Sequence, residues 1–309
     1  MNLLYRLFLS VIMIVSLLSC SPRIMIANEI SNISEIGAVV FEQDDDLDML
    51  EKGIPGNIKF LEVILENSPD NYKILVLLSR LYAAYSFGFY EGRLESSIIG
   101  KSDSVLSGQN IIKESVNRYY LKGSDYALRA IESRNPGADK KLKIPESADR
   151  LLKTMSREDV PALFWYGFNL SALINNNRDS VLLLSKAYLI EKIMKRVIEL
   201  DPEYFFGGPH LILLSYYSSL PPYSDEKLDL SLFHYKKLKE RKDGPFLLAD
   251  LYFARYYLSI KQEKEKFEEI MNDILNHSGK GKECVFYNRI AAQRAKIYLD
   301  GIDHFFEPK

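Results

Sequence analysis

The stretch "RVIELDPEYF", residues 196–205, runs from a helix-like apolar pattern into a proline and carries the signal that decides the fold. Two other stretches resemble it, "VILENSPDNY" at 63–72 and "RAIESRNPGA" at 129–138. The residues directly before the three prolines are all helix-capping types: Ser68, Asn135 and Asp201. Because such side chains accept a free backbone N–H and proline suits the first helical turn, this pattern is typical of the start of a helix.

The spacing of these prolines indicates a repeat. Pro69, Pro136 and Pro202 are 67 and 66 residues apart, close to twice the ~34-residue helix–turn–helix period of tetratricopeptide repeats. Apolar residues elsewhere recur at three- and four-residue spacings, with almost no alternating strand pattern. The sequence therefore predicts an all-α protein, a tetratricopeptide-like α-α superhelix of stacked antiparallel helix pairs. A single helical bundle is the alternative architecture.

The same periodicity gives a coarse map of the helices. The segment from Gly92 to Gln109 lacks it and is predicted to be an irregular insertion. Helices are predicted over residues 56–67, 70–91, 109–133, 146–154, 159–176, 180–199, 203–219, 225–240, 246–260, 263–276 and 282–299.

The first nineteen residues have the composition of a secretory signal peptide. Arg6 provides a positive start, and the run from Leu7 to Leu18 is almost entirely apolar. That run is too short for a spanning helix and suits a signal-peptide core. It ends in "LLSC", which resembles a bacterial lipobox with Cys20 as the lipid-bearing first residue. Ser21 then resembles the sorting pattern for the outer membrane.

These features predict a signal peptide (1–19), a lipid-anchored tether (20–40) and a single helical domain (41–309) in the bacterial periplasm. Processing removes one of the 40 basic residues, leaving 39 basic against 42 acidic residues and a net charge of −3. A negative chain argues against nucleic acid as a partner. Lipidation of Cys20 leaves Cys284 as the single free thiol, so no intramolecular disulfide is expected.

Motifs for catalysis or metal binding are not recognisable. The four histidines are widely separated in sequence, and none has a partner four residues away: His210, His234, His277 and His304. No G-x-S-x-G nucleophile motif occurs, and the Glu-Ser pairs lack the glycine-rich segment that follows them in lytic transglycosylases. We therefore expect no enzyme activity, no metal and no cofactor.

Three helices are unusually aromatic: "RLYAAYSFGFYEG" at 80–92, "PALFWYGFNLSALINNNRDS" at 161–180 and "GGPHLILLSYYSSLPP" at 207–222. Most such rings pack helix against helix, but rings on a concave face can contact a partner or an apolar ligand. Asn169 is polar in the middle of an apolar helix. A buried amide needs hydrogen-bond partners, so Asn169 belongs either to a polar network or to a lined channel.

Several segments in order resemble the T component of TRAP-type transporters, a family of tetratricopeptide-like periplasmic lipoproteins. The similarity runs over nearly all of the mature chain, and the Gly92–Gln109 segment and the basic "HYKKLKERK" at 234–242 depart from the pattern. The segments that carry it are "FEQDDDLDML" (41–50), "SPDNYKILVLLSRLYAAYSFGFYEG" (68–92), "DYALRAIESRNPG" (125–137), "PALFWYGFNLSALINNNRD" (161–179), "RVIELDPEYFFGGPHLILLSYYSSLPP" (196–222) and "GPFLLADLYFARYYLSIKQ" (244–262).

The resemblance implies a non-enzymatic transport role. Such a protein partners the periplasmic substrate-binding P component, is linked with uptake of small apolar or organic-acid ligands, and forms a homotrimer whose protomers each carry a channel. Residues expected to line that channel are Tyr85, Phe89, Trp165, Asn169, Asn176, Tyr216 and Tyr217. A tetratricopeptide scaffold lipoprotein for envelope assembly, without a ligand, is the main alternative. An enzyme of the cell wall is the third.

Overall fold

A computed structural model describes residues 22–99, 106–219, 224–242 and 244–307. Every regular element within these ranges is helical and none is a strand, so the predicted all-α class is confirmed. No helix in these ranges is both long and apolar enough to cross a bilayer. The predicted signal peptide and its lipid-bearing cysteine lie outside the described residues and stay predictions.

Helices α1 to α8 form the first part of the chain. They are α1 (Pro22–Glu42), α2 (Leu47–Glu66), α3 (Tyr72–Tyr85), α4 (Glu91–Ile99), α5 (Leu106–Arg134), α6 (Ala138–Leu142), α7 (Pro145–Thr154) and α8 (Val160–Asn176). A π-helical segment, Ser86–Tyr90, joins α3 directly to α4, and we call it the first π turn. The predicted irregular insertion is therefore wrong for residues 92–99 and 106–109. The acids Glu91 and Glu95 of α4 are buried, although the polar sequence of this segment does not indicate burial.

Helices α9 to α15 complete the chain. They are α9 (Val181–Leu184), α10 (Ala187–Leu200), α11 (Tyr204–Ser219), α12 (Asp225–Lys239), α13 (Leu247–Tyr252), α14 (Lys264–His277) and α15 (Val285–Asp300). The second π turn, Phe253–Leu258, continues from α13. The predicted helix over 180–199 is thus two helices, because α9 is a short exposed turn that ends before α10 begins.

The helices after Pro69 and Pro202 begin one or two residues later than predicted, and a short helix, α6, follows Pro136 where none was predicted. The proposed caps Ser68, Asn135 and Asp201 do not cap them, because each proline lies in a turn that precedes the helix. Helix α3 is capped instead by Asn71, whose side-chain oxygen accepts a hydrogen bond from the Ile74 N–H at 3.1 Å. Helix α6 follows Gly137, which has a left-handed φ of 82°.

The start of α11 has a left-handed backbone at three successive residues. Phe205, Phe206 and Gly207 have φ values of 50°, 59° and 73°. This conformation is unfavourable by roughly 1–2 kcal/mol for a residue with a side chain. The rings offset that strain by packing: the Phe205 ring centroid lies 4.7 Å from that of Trp165 and 5.2 Å from that of Tyr287. The strained turn at residues 205–207 therefore completes an aromatic cluster around Trp165, near the N-terminal end of α8.

Helix α8 is the centre of the body. Helices α3, α5, α10 and α11 all pack against it, and twelve of its seventeen residues are buried. Gly167 permits the close approach of α10, because a Cβ at this position would lie 2.4 Å from the Met194 Cε. This placement agrees with the two apolar faces visible in the sequence.

Helix α1 covers most of the predicted tether and packs on the body. Its inward face consists of small buried residues, Ala27, Ser31 and Ala38, and lies against α3. The Asn71 side chain also donates a hydrogen bond to Asn28 at 2.9 Å. The outward face of α1 is apolar as well. This removes the contrast between faces on which a helix prediction depends.

Candidate functional site

Three adjoining cavities enter the helical body, and we name them, from outside inwards, the vestibule, the throat and the inner pocket. The vestibule opens between α4, α5, the end of α8 and the second π turn. Its lining includes Glu95, Lys113, Asn176, Arg178, Arg255 and Phe305. The throat is lined mainly by apolar and aromatic residues, including Phe87, Phe168, Ile190, Ile212, Tyr216 and Tyr252. The inner pocket lies among Phe164, Trp165, Phe205, Leu248 and Tyr287.

Shared wall residues show that these cavities adjoin, and we call the series from the vestibule to the inner pocket the path. Three residues line both the vestibule and the throat: Asn175, Ser219 and Tyr256. Three others line both the throat and the inner pocket: Phe87, Phe168 and Ile212.

The cavity volume falls along this path from about 400 Å³ in the vestibule to about 30 Å³ in the throat and about 10 Å³ in the inner pocket. A cavity needs roughly 10–15 Å³ of this volume to hold one water molecule. The vestibule therefore accommodates a small organic molecule, whereas the throat accommodates one or two waters until its side chains move.

The vestibule carries more positive than negative charge. Among the described residues that line it, the cations Lys113, Arg178 and Arg255 face one acid, Glu95, although the chain as a whole has a net charge of −2. Arg178 is held at the rim, because its Nη1 donates to the Ser219 carbonyl at 3.1 Å. A cationic opening above an apolar throat matches an amphipathic anion, with its acid group outside and its apolar part inside.

A buried chain of alternating charges forms one wall of this path. Glu91 and Glu95 lie one turn apart on α4 and meet two arginines from distant parts of the sequence. Arg294 on α15 donates to Glu91 at 2.9 Å, and its Nε lies 3.6 Å from Glu95. Arg255 of the second π turn pairs with the other oxygen of Glu95. We call Glu91, Glu95, Arg255 and Arg294 the charge network.

Neutral side chains also donate hydrogen bonds to Glu91. The Tyr120 hydroxyl donates to Glu91 at 2.8 Å, and the Asn176 amide donates to it at 3.2 Å. Burial alone would raise the pKa of Glu91, but the charge and hydrogen bond of Arg294 outweigh it and hold that pKa below its usual value. Buried ion pairs of this kind add little net stability compared with apolar packing. The charge network is therefore weak evidence for net stabilisation of the fold, although removal of one partner would leave a buried charge.

Both π turns contribute to the charge network. The first π turn ends where Glu91 begins α4, and its Phe87 carbonyl accepts a hydrogen bond from Arg294 at 2.7 Å. The second π turn contains Arg255. Single π turns inside α-helices occur frequently at functional sites, because they re-aim side chains and free backbone groups.

A fourth cavity lies on the other side of the charge network. This back cavity has a volume of about 390 Å³ and is bounded by α2, the first π turn, α4 and α15. Arg294 lines it, whereas its partner Glu91 lines the throat. The Glu91–Arg294 pair therefore separates the throat from the back cavity.

Four of the seven predicted channel residues line cavities. Asn176 lines the vestibule, Tyr216 the throat and Trp165 the inner pocket. Phe89 lines the back cavity, on the far side of the charge network from the other three. The structure thus brings Asn176, Tyr216 and Trp165 to one path, and their contact with a ligand stays a prediction.

The other three line none of these cavities. Tyr85 belongs to a half-buried aromatic group with Tyr90 and Tyr119, at centroid distances of 5.3 Å and 5.2 Å. The Tyr217 hydroxyl donates to Glu191 at 2.9 Å.

Asn169 belongs to a polar network, the first of its two predicted alternatives. It is fully buried. Its amide nitrogen donates to the Trp165 carbonyl at 2.7 Å and to the Ser79 hydroxyl at 3.1 Å. The bond to Ser79 ties α8 to α3, whereas the bond to Trp165 lies within α8.

Sequence reasoning missed the charge network and a histidine pair. A signal existed for part of the former: Glu91 and Arg255 are charges within aromatic segments, just as Asn169 is an amide within an apolar helix. His210 and His234 are 24 residues apart in sequence, yet their Nδ1 atoms meet at 2.8 Å between α11 and α12. Burial lowers the pKa of His210 to about 4 and that of His234 to about 3, so both rings are neutral at pH 7.

These features define a helical protein with an amphipathic internal path. The family model of the TRAP transporter T-component matches residues 43–306, and the chain therefore belongs to that family, as the sequence predicted. The chain is also similar to an uncharacterized protein of Treponema pallidum (strain Nichols), with 25% identity over 185 residues. That match covers 59% of this chain and 56% of the relative, so the similarity spans only about half of the relative's length.

Proposed function

We propose that this protein is the lipid-anchored, periplasm-facing T component of a TRAP-type transport system. In this role its helical body holds or passes a small apolar or organic-acid ligand, and its surface docks the substrate-binding P component. Membership of the T-component family supports the transport role. One observation carries the ligand part: the vestibule, throat and inner pocket adjoin, cationic at the opening and aromatic within.

The proposed ligand places an acid group in the vestibule and an apolar part in the throat. Lys113, Arg178 and Arg255 supply the charge, and charge-assisted hydrogen bonds from arginine to a carboxylate are among the stronger polar contacts. Burial of the apolar part contributes roughly 25 cal/mol for each Å² removed from water. Entry beyond the vestibule requires movement of aromatic side chains such as Tyr216 and Tyr252.

The anchoring and assembly in this proposal come from the sequence. Acyl chains on Cys20 would attach the protein to the outer membrane, the membrane favoured by Ser21, and the resemblance implies a homotrimer. A tetratricopeptide scaffold would share these features but would need no ligand. Ligand retention therefore separates the two functions.

The test uses the chain with Cys20 replaced by serine, purified from its native host. Mass spectrometry of the denatured protein should release a small amphipathic molecule, and the P component should be retained on the immobilised chain. Ala172→Phe places a ring in the throat and should abolish ligand retention. Ala187→Phe adds the same ring outside the four cavities and serves as the control. A ligand-free wild-type chain, or equal retention by Ala172→Phe, would contradict the ligand part of the proposal.

A further inference from the structure

The pair formed by Glu95 and Arg255 lies in the vestibule wall, where a ligand's acid group would arrive. The Arg255 side chain is 22% exposed, whereas that of Arg294 is 3% exposed. Both Glu95 and Arg255 line the vestibule, and Arg294 does not. Of the two arginines in the charge network, Arg255 is therefore the one that a molecule in the vestibule can reach.

Glu95 has one other hydrogen-bond donor and one other cation near it that remain if Arg255 turns away. The Tyr298 hydroxyl donates to it at 2.9 Å, and the Arg294 Nε lies 3.6 Å from it. The Arg255 guanidinium carbon lies 5.2 Å from the ring centroid of Tyr256 and 5.1 Å from that of Tyr298. Tyr256 also lines the vestibule, so an arginine that remained on this ring would still face the cavity. If Arg255 exchanges Glu95 for a ligand carboxylate, Glu95 still has Tyr298 and Arg294 near it, and Arg255 gains the charge of the ligand.

We propose that Arg255 binds the acid group of the ligand and that Glu95 occupies the same position in the empty protein as an internal competitor. This inference rests on the proposed function, since it assumes that an organic anion enters the vestibule. Binding is then an exchange in which the ligand carboxylate replaces the Glu95 carboxylate on Arg255. Ligands without an acid group cannot drive that exchange, and Glu95 sets how tightly an acid is held.

The proposal predicts opposite effects for the two members of one ion pair. Decanoate and decan-1-ol serve as probes, titrated calorimetrically into the full mature chain with Cys20 replaced by serine. Glu95→Gln should tighten decanoate binding about tenfold, or about 1.4 kcal/mol, because the amide still accepts from Tyr298 but competes weakly for Arg255. Arg255→Gln should weaken decanoate binding at least about tenfold. Neither change should shift decan-1-ol binding more than about twofold.

Glu62→Gln is the matched control, because Glu62 likewise accepts from a tyrosine hydroxyl, that of Tyr126 at 3.0 Å, and pairs with a cation, Lys59, but lines none of the four cavities. It should leave decanoate affinity within about twofold of wild type. If Glu95→Gln fails to fold, as judged by circular dichroism, the double variant Glu95→Gln/Arg255→Gln restores a neutral pair. It should bind decan-1-ol as wild type does and decanoate weakly.

Each outcome decides the proposal. A structural ion pair would give equal losses for Glu95→Gln and Arg255→Gln with both probes, and would overturn the exchange. If the wild-type chain binds decanoate but Glu95→Gln does not bind it more tightly, the exchange alone is overturned. A double variant that binds decanoate as wild type does would also overturn the exchange alone. If the wild-type chain binds neither probe, the ligand part of the proposed function fails and the exchange fails with it.

Discussion

Gly123 of α5 faces α8 at a point where no side chain fits. A Cβ at this position would lie 2.4 Å from the Asn169 Oδ1 and 2.9 Å from its Nδ2. Asn169 cannot yield freely, because its amide is fully buried and bonded to Trp165 and Ser79. Gly123→Ala therefore forces either a wider gap between α5 and α8 or the loss of those two bonds.

The expected loss of stability follows from competing contributions. Alanine improves helix propensity over glycine by about 1 kcal/mol. Overpacking of a core typically costs about 1–3 kcal/mol, and each lost amide hydrogen bond costs about 1 kcal/mol. By either route the net result for Gly123→Ala is a loss of about 1 kcal/mol, and at most about 2 kcal/mol, which corresponds to a fall in Tm of about 2–3 °C in a chain of this size.

Urea and thermal unfolding of the mature chain measure this effect, with Gly53→Ala in α2 as the control. No atom lies within 4 Å of a Cβ at Gly53, so that variant should gain up to about 1 kcal/mol. Asn169→Ala should relieve the clash, so the double variant with Gly123→Ala should lose less than the sum of the single losses. A rise in Tm for Gly123→Ala, or strict additivity, would refute the reasoning.

Three further predictions concern buried titratable groups. Burial lowers the pKa values of His210 and His234 to about 4 and about 3, so below about pH 6.5 these histidines take up protons in the unfolded chain but not in the folded one. The free energy of unfolding should therefore fall by at least about 2 kcal/mol from pH 7 to pH 5. In urea titrations, the double variant His210→Gln/His234→Gln should show a weaker dependence on pH. Glu91→Ala should cost about 3–5 kcal/mol by leaving Arg294 buried without its main partner, and a further Arg294→Met change should restore part of this loss; equal stability of both variants would contradict it. Burial raises the pKa of Cys284 to about 11, so iodoacetamide at pH 8 should modify it about 100-fold more slowly in the native chain than in urea, as followed by intact mass; equal rates would show that the thiol is accessible.

The sequence predicted those helices whose apolar residues recur at three- and four-residue spacings. The stripes of α8, and the apolar spacing of α10, follow from residues close together in the chain. Helix α1 escaped prediction because Ile33, Ile36 and Val40 make its outer face apolar. The start of α3 was predicted too early because Asn71, and not Ser68, accepts a hydrogen bond from the free N–H at the start of this helix.

The site was harder to predict because its contacts are distant in sequence. Arg255 lies 160 residues from Glu95, and Arg294 lies 203 residues from Glu91. Polarity inside an apolar helix drew attention to Asn169, and the same criterion applied to charges would have selected Glu91 and Arg255, though not Arg294, which has Gln293 and Lys296 beside it. It could not have identified their partners, because the pairing depends on how α4, α15 and the second π turn meet.

A crystal structure of the mature chain with 10-bromodecanoate tests the central claim most directly. The account predicts anomalous bromine density in the throat, between Phe168 and Ile212, and a carboxylate on Arg255 with Glu95 released to Tyr298. Bromine bound elsewhere, with the vestibule holding only water and Arg255 still on Glu95, would contradict it.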